Sequence, residues 1–151
     1  MTIDQIILAS KSSVRKNLLN NSGIEFEVIG SDYNEMDLQD RYLNKSCSID
    51  EVKYLVEELS FQKALAVSKT YQNSLIIGCD QILYFDKRIM LKPKNIEESK
   101  EQLRQLSGKT HKLITATVCV LNTKKVWSYV SEQNMKMRLF SDNFIDGYIS
   151  K

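Results

Sequence analysis

The chain has 151 residues, 42% of them hydrophobic and 26% charged, with a formal net charge of +2. That length supports one domain with a real hydrophobic core, and the balance is that of an ordinary soluble globular protein. No apolar run approaches the roughly 20 residues that cross a bilayer, and so small a charge excludes an obvious nucleic-acid footprint.

Residues 5–9 read as a short apolar strand. Asp4 stands where a secretion signal would carry positive charge, so a cytoplasmic location is expected. Residues 12–21 read as a helix with Gly23 in a C-cap role, and residues 25–29 alternate as a half-buried strand does. Residues 31–47 are polar and read as irregular. Ser48 and Glu51 form a capping box, and the helix they open carries the apolar stripe Val52, Leu55, Val56, Leu59, Ala66, Val67. Residues 75–78 read as a buried strand, which residues 81–85 extend or follow. A turn at 86–88 leads into a strand at 89–91. Residues 95–106 read as a second capped helix, with Glu98 three residues after Asn95 and Gly108 past the end. Residues 111–121 and 126–138 read as an antiparallel pair around 122–125, and Ser141 starts a helix reaching Lys151. Strands and helices mix without strict alternation, which predicts a mixed sheet with helices packed on it.

Charge is unevenly spread. Acids outnumber bases between Glu25 and Glu58, and bases dominate from Lys87 to Lys112. This describes either two solvated faces or a cleft with acids for a metal on one wall and bases for phosphates on the other. Cys47, Cys79 and Cys119 are too widely spaced for a disulfide framework or a zinc pattern. Cys79 and Cys119 sit in apolar runs and read as buried thiols. His111, the one histidine, is poor support for a Cys–His pair.

Five places carry candidate chemistry. Residues 9–16 pass from strand to small polar loop to helix, a junction whose free N–H groups suit an anion. Ser10, Ser12 and Ser13 add hydroxyls there, and Arg15 and Lys16 add charge; plain N-capping explains the same residues. Lys63 falls near the centre of its helix's apolar stripe, so it either meets a partner toward the core or snorkels at the edge. Asp80 follows a strand, where a carboxylate holds Mg²⁺ or activates water, or serves a turn. Lys92 precedes Pro93 and is held extended, facing a cleft or solvent. Glu35 is a loop acid after a strand.

In order along the chain, these segments resemble the Maf family of nucleoside triphosphate pyrophosphatases. Leu8-Ala-Ser-Lys-Ser-Ser-Val-Arg-Lys-Asn-Leu-Leu19 is similar to the family's opening "LASxSPRRxxLL", and Ser31 to Glu35 to its "SxxxE". Lys63-Ala64 matches the central helix, Ile77-Gly-Cys-Asp80 resembles "IGAD", Lys92-Pro93 "KP", and Leu106-Ser-Gly-Lys-Thr-His111 "LSGRTH". The resemblance implies an α/β (mixed α+β), two-lobed fold, with a mixed twisted sheet flanked by helices and a cleft between the lobes. It implies one Maf-like domain over residues 1–151, lacking the "AGxYxxxG" segment and the C-terminal part that follows it.

The implied activity is hydrolysis of a nucleoside triphosphate to monophosphate and pyrophosphate, a house-cleaning role in the nucleotide pool. Asp80, Lys63 and Lys92 take the catalytic positions. Ser10, Ser12, Arg15 and Lys16 take the phosphate positions, and Glu35 and Asp80 the Mg²⁺ or Mn²⁺ positions. Water, deprotonated by Asp80 directly or through the metal, attacks the α-phosphorus. Arg15, Lys63 and Lys92 stabilise the charge on the triphosphate and on the departing pyrophosphate. Val14 stands where the family has arginine, and Gln81 where members acting on dTTP and UTP have threonine. Both resemble the branch linked to 7-methyl-GTP and read as specificity residues. The expected partner is a nucleoside triphosphate, with neither nucleic acid nor membrane; a homodimer is left open. A truncated, non-catalytic nucleotide-binding relative is the second reading.

Overall fold

The computed structural model describes residues 3–150. In order they form β1 (Ile6–Leu8), α1 (Ser13–Asn21), β2 (Glu27–Val28), α2 (Met36–Asp40), α3 (Ile49–Ser68) and β3 (Leu75–Phe85). β4 (Arg88–Met90), α4 (Ile96–Leu106), β5 (Thr110–Leu121), β6 (Lys124–Lys136) and α5 (Asp142–Ile149) follow. The strands make one six-stranded sheet in the order β2-β1-β3-β5-β6, with β4 also on β3. β1 runs parallel to β2 and β3, and the other pairings are antiparallel, so the sheet is mixed, as predicted. No helix among the described residues is long and apolar enough to cross a membrane.

The long strand β3 organises the sheet. One of its edges pairs with β5 from Leu75 to Tyr84. Its other edge is shared: β1 takes Leu75–Ile77 and β4 takes Leu83–Phe85. Between them, residues 78–82 have no strand on that side among the described residues. Alternation along β3 buries Ile76, Gly78, Asp80 and Ile82 on the face that also carries Ile114, Ala116, Val118 and Val120 of β5.

Helix α3 covers that face. Its capping box is complete: Ser48 Oγ accepts from the Glu51 N–H at 3.2 Å, and Glu51 Oε2 accepts from the Ser48 N–H at 2.7 Å. The apolar core falls into two groups. Val52, Leu55, Val56 and Leu59 of α3 pack with Ile82, Ile89, Ile114 and Ala116. Ala64 and Val67 pack with Ile7, Ala9, Ile76, Val118 and Val120. The seam between the groups is where α3 crosses β3 at Gly78. A Cβ there would overlap the Ser60 carbonyl oxygen and come within 2.9 Å of the Ala64 Cβ. Ser60 is fully buried, and its hydroxyl donates to the carbonyls of Val56 at 2.8 Å and Ala116 at 3.1 Å.

Local signals place most of the remaining elements. The strand turns have positive φ at both central residues, Asp86 and Lys87 between β3 and β4, and Asn122 and Thr123 between β5 and β6. This pattern matches the twist of the flanking strands, so the second turn occupies two residues and β6 starts at Lys124, earlier than the sequence suggests. α4 is capped by Asn95, whose Oδ1 accepts from the Glu98 N–H at 2.8 Å, and Gly108 follows at φ 70°. Ion pairs of 2.8 Å from Lys100 to Asp146 and 2.9 Å from Arg104 to Asp142 tie α4 to α5.

Several expectations change. Residues 31–47 contain the five-residue α2, too short and polar to show periodicity. Of the two readings of residues 81–85, extension holds: they continue residues 75–78 in one strand, whose central polar Asp80 and Gln81 are paired to β5. The edge strand β2 exposes both of its residues. Cys79 and Cys119, expected to be buried, are half-buried, because they lie on the sheet face turned away from α3; the buried thiol is Cys47. The last helix ends at Ile149, and Lys151 lies outside the described residues.

Two stability predictions follow from packing. Gly78→Ala is expected to destabilise by about 1–3 kcal/mol or more, because backbone must move. Gly147→Ala in α5, with nothing within 4 Å of the added Cβ, is expected to be neutral or to stabilise by up to about 1 kcal/mol. Urea denaturation of both variants checks the contrast.

His111 is buried, and its Nδ1 has no hydrogen-bond partner among the described residues. Burial pushes the imidazole below its ordinary value of 6.5. The unfolded chain therefore binds the proton more readily, and stability falls as pH drops below 6.5 toward the folded value. In His111→Leu this loss should be absent. The difference in unfolding free energy from wild type should be flat above about pH 7 and move in the variant's favour at lower pH, as acid titration of denaturation midpoints will show.

Candidate active site

The unpaired interval of β3 lies beside the C-terminal end of β1, where the chain turns into α1. Side chains from four elements or their caps converge there. Asp80 projects from β3 on the α3 side, and its side chain is 11% exposed. Lys63 stands next to Ala64, so the close approach at Gly78 sets its reach: Nζ lies 3.1 Å from Asp80 Oδ2. The same ammonium is 2.8 Å from Glu35 Oε1, and its own side chain is 12% exposed. Arg15, on the first turns of α1, places Nη2 3.7 Å from Asp80 Oδ1. Asp80 Oδ1 also accepts from the Gln81 N–H at 2.8 Å.

The strand-to-helix junction is knitted by serines. Ser12 is the N-cap of α1, its hydroxyl accepting from the Arg15 N–H at 3.4 Å. Ser10, which is buried, accepts from the Ser12 N–H at 3.2 Å and from Arg15 Nη1 at 3.4 Å. N-capping and anchoring of Arg15 thus coexist, where the sequence offered capping and an anion site as alternatives.

Ser10, Ser12, Arg15, Glu35, Lys63 and Asp80 come together. The side chains of the other candidates make no hydrogen bond or ion pair with this cluster among the described residues. Lys16 and Val14 are exposed on α1. Lys92 is exposed after β4, lining an open hollow shared with Pro93, Glu97 and Glu101. Gln81 is exposed on the opposite face of the sheet from Asp80, where its Nε2 donates to Thr115 Oγ1 at 2.8 Å. Strand alternation separates consecutive residues in this way.

One participant escaped the sequence reading. Gln39 Nε2 donates to Glu35 Oε2 at 3.1 Å, leaving Oε1 for Lys63. The signal was the four-residue spacing, which aligns Glu35 and Gln39 on one helical turn, but the helix itself was not recognised.

The two carboxylates converge on one point, at present filled by the Lys63 ammonium. Among the described residues no three His, Cys, Asp or Glu side chains cluster as a cage. Two carboxylates fit a hard divalent cation that draws its other oxygens from phosphates and water, the usual Mg²⁺ arrangement at phosphate sites.

Comparison with known proteins decides the ancestry. Residues 5–151 match the family model described as Maf-like protein. The chain belongs to the Maf family. It is 36% identical over its whole length to a 7-methyl-GTP pyrophosphatase of Brucella abortus, covering 74% of that protein. It is 37% identical over 97% of its length to one from Rhizobium meliloti, covering 72% of it. With a nucleoside triphosphate pyrophosphatase of Ruegeria pomeroyi the identity is 31% over 97% of the chain and 72% of the relative. Among solved structures, a dITP/XTP pyrophosphatase of Mycobacterium abscessus overlays with a TM-score of 0.51 at 14% identity, covering 87% of this chain and 72% of the other. That overlay shows a shared fold.

Truncating the ammonium tests how the cluster is held. Lys63→Met leaves two carboxylates facing each other with Arg15 beside Asp80 alone. A loss of about 1–3 kcal/mol is expected at neutral pH, less than for a fully buried pair because Glu35 is about a third exposed. Thermal denaturation of Lys63→Met against wild type checks it.

Proposed function

We propose that this Maf-family chain hydrolyses a nucleoside triphosphate to a monophosphate and pyrophosphate, with Asp80 at the reacting centre. The observation that carries this reading is the placement of Asp80 in the open interval of β3, bracketed by Lys63 at 3.1 Å and Arg15 at 3.7 Å. Phosphoryl transfer asks the protein mainly for positioning and charge neutralisation, and a carboxylate between two cations offers both. The names of relatives from Brucella abortus and Ruegeria pomeroyi support the same reaction class.

In this mechanism Asp80 accepts a proton from water as the oxygen attacks the α-phosphorus. The new P–O bond forms as the bond to the β-phosphate bridge oxygen breaks, and pyrophosphate leaves with the electron pair. Arg15 and Lys63 hold phosphoryl oxygens and offset the charge that builds on them. The N–H groups at the start of α1, beside Ser10 and Ser12, bind a terminal phosphate. Glu35 and Asp80 would hold Mg²⁺ or Mn²⁺, which when bound supplies further neutralisation of the phosphate oxygens.

For the base, 7-methyl-GTP is the first candidate, on the names of the Brucella and Rhizobium relatives. Gln81 adds no support, since its side chain lies across the sheet from Asp80.

Pyrophosphate release from 7-methyl-GTP, GTP, dTTP and UTP with Mg²⁺ or Mn²⁺ tests the proposal. Turnover is expected to be highest on 7-methyl-GTP and to fall about 100-fold or more in Asp80→Asn. A folded Asp80→Asn protein with wild-type turnover would remove Asp80 from the chemistry. Nucleotide binding without any release would make the chain a binding module.

A further inference from the structure

The geometry points to a second role for Lys63: we infer that its ammonium is a resident counter-ion that keeps a divalent cation out of the site until a triphosphate arrives. This rests on the reading that the cluster handles a metal–triphosphate.

Lys63 Nζ lies 2.8 Å from Glu35 Oε1 and 3.1 Å from Asp80 Oδ2, so it occupies the point that both carboxylates share. A divalent cation held by these two carboxylates would compete with Nζ for the same oxygens. Two cations cannot share that point, and the Lys63 and Asp80 side chains are only 12% and 11% exposed, so little water screens the repulsion.

Charge balance gives the same answer. Arg15, Lys63, Glu35 and Asp80 sum to zero without substrate. A bare divalent ion would bring the cluster to a net charge of about +2 in a largely desolvated place. With the anionic triphosphate the added charge is compensated, and the phosphate oxygens give the displaced ammonium a new partner. Metal and triphosphate therefore enter together. Gln39 sharpens the arrangement: by holding Glu35 Oε2 at 3.1 Å, it keeps Oε1 turned to Lys63.

Calorimetric titration of nucleotide-free protein with Mn²⁺ tests this without turnover. Wild type is expected to bind with a dissociation constant of about 1 mM or weaker. Lys63→Met should bind at least about tenfold more tightly, because the competing cation is gone while both carboxylates remain. Lys63→Arg should stay as weak as wild type. Lys63→Met combined with Asp80→Asn should lose the gain. A Lys63→Met protein no tighter than wild type would overturn the proposal, as would tight Mn²⁺ binding by wild type that Asp80→Asn abolishes.

Should Lys63→Met fail to fold, ¹⁵N NMR of the lysine ammonium groups in wild type decides. Millimolar Mg²⁺ alone should leave the Lys63 signal in place, and Mg²⁺ with a non-hydrolysable triphosphate should move it. Movement with Mg²⁺ alone overturns the inference. The two readings fail separately. A metal gain in Lys63→Met without any pyrophosphate release from wild type sinks only the hydrolase, and release without the gain sinks only the counter-ion role.

Discussion

Helix α3 lies on strand β3 at backbone distance because residue 78 has no side chain. With any Cβ there the helix would ride higher, and Lys63, one residue from the contact at Ala64, would lose its 3.1 Å approach to Asp80. The same crossing separates two apolar groups, so the polar residues Ser60, Lys63 and Asp80 occupy a seam instead of interrupting a continuous core. Each is satisfied there: Ser60 by two carbonyls, Lys63 by two carboxylates, Asp80 by a lysine, an arginine and an N–H group. Buried polar groups without partners are costly, and a seam with fixed partners accommodates them.

The sheet supplies the second constraint. β3 is long enough to pair with β1 at one end and β4 at the other, and the interval between them falls on Asp80. An interval in the middle of a strand keeps the backbone rigid through β5, while its other edge carries no strand there among the described residues. The end of β1 lies beside the same interval, which brings Ser10, Ser12 and Arg15 to it. A candidate site assembled on strands and helix starts holds its groups more precisely than one assembled on loops.

Alternation gives the sheet two unlike faces. Asp80 looks toward α3, and Gln81 looks the other way toward Thr115. On that far side β6 carries the exposed Trp127 and Tyr129, stacked with ring centroids 6.3 Å apart. Adjacency in sequence is therefore a poor guide to shared function along a strand, and the family motif around Asp80 joins residues that occupy separate environments.

Much of this protein was legible in its sequence because the signals are local. The capping box at Ser48, the N-cap at Asn95, the glycines at 23 and 108, and the apolar run from Leu75 need only neighbouring residues, and each marks an element that forms. The order of motifs also identified the family. Lys63 was flagged by its place on an apolar stripe, and Asp80 by its place on a strand, each with a bland alternative open. Tertiary structure alone decided between the alternatives, because ion pairing depends on distances that sequence separation does not encode. Glu35, Lys63 and Asp80 come from a helix cap, a helix and a strand, and the glycine-mediated crossing sets the approach of Lys63 to Asp80. The same physics placed Gln81 and Lys92 outside the cluster and brought Gln39 in: reach is set by the face and the crossing, and residue type determines only what a side chain can do once it arrives.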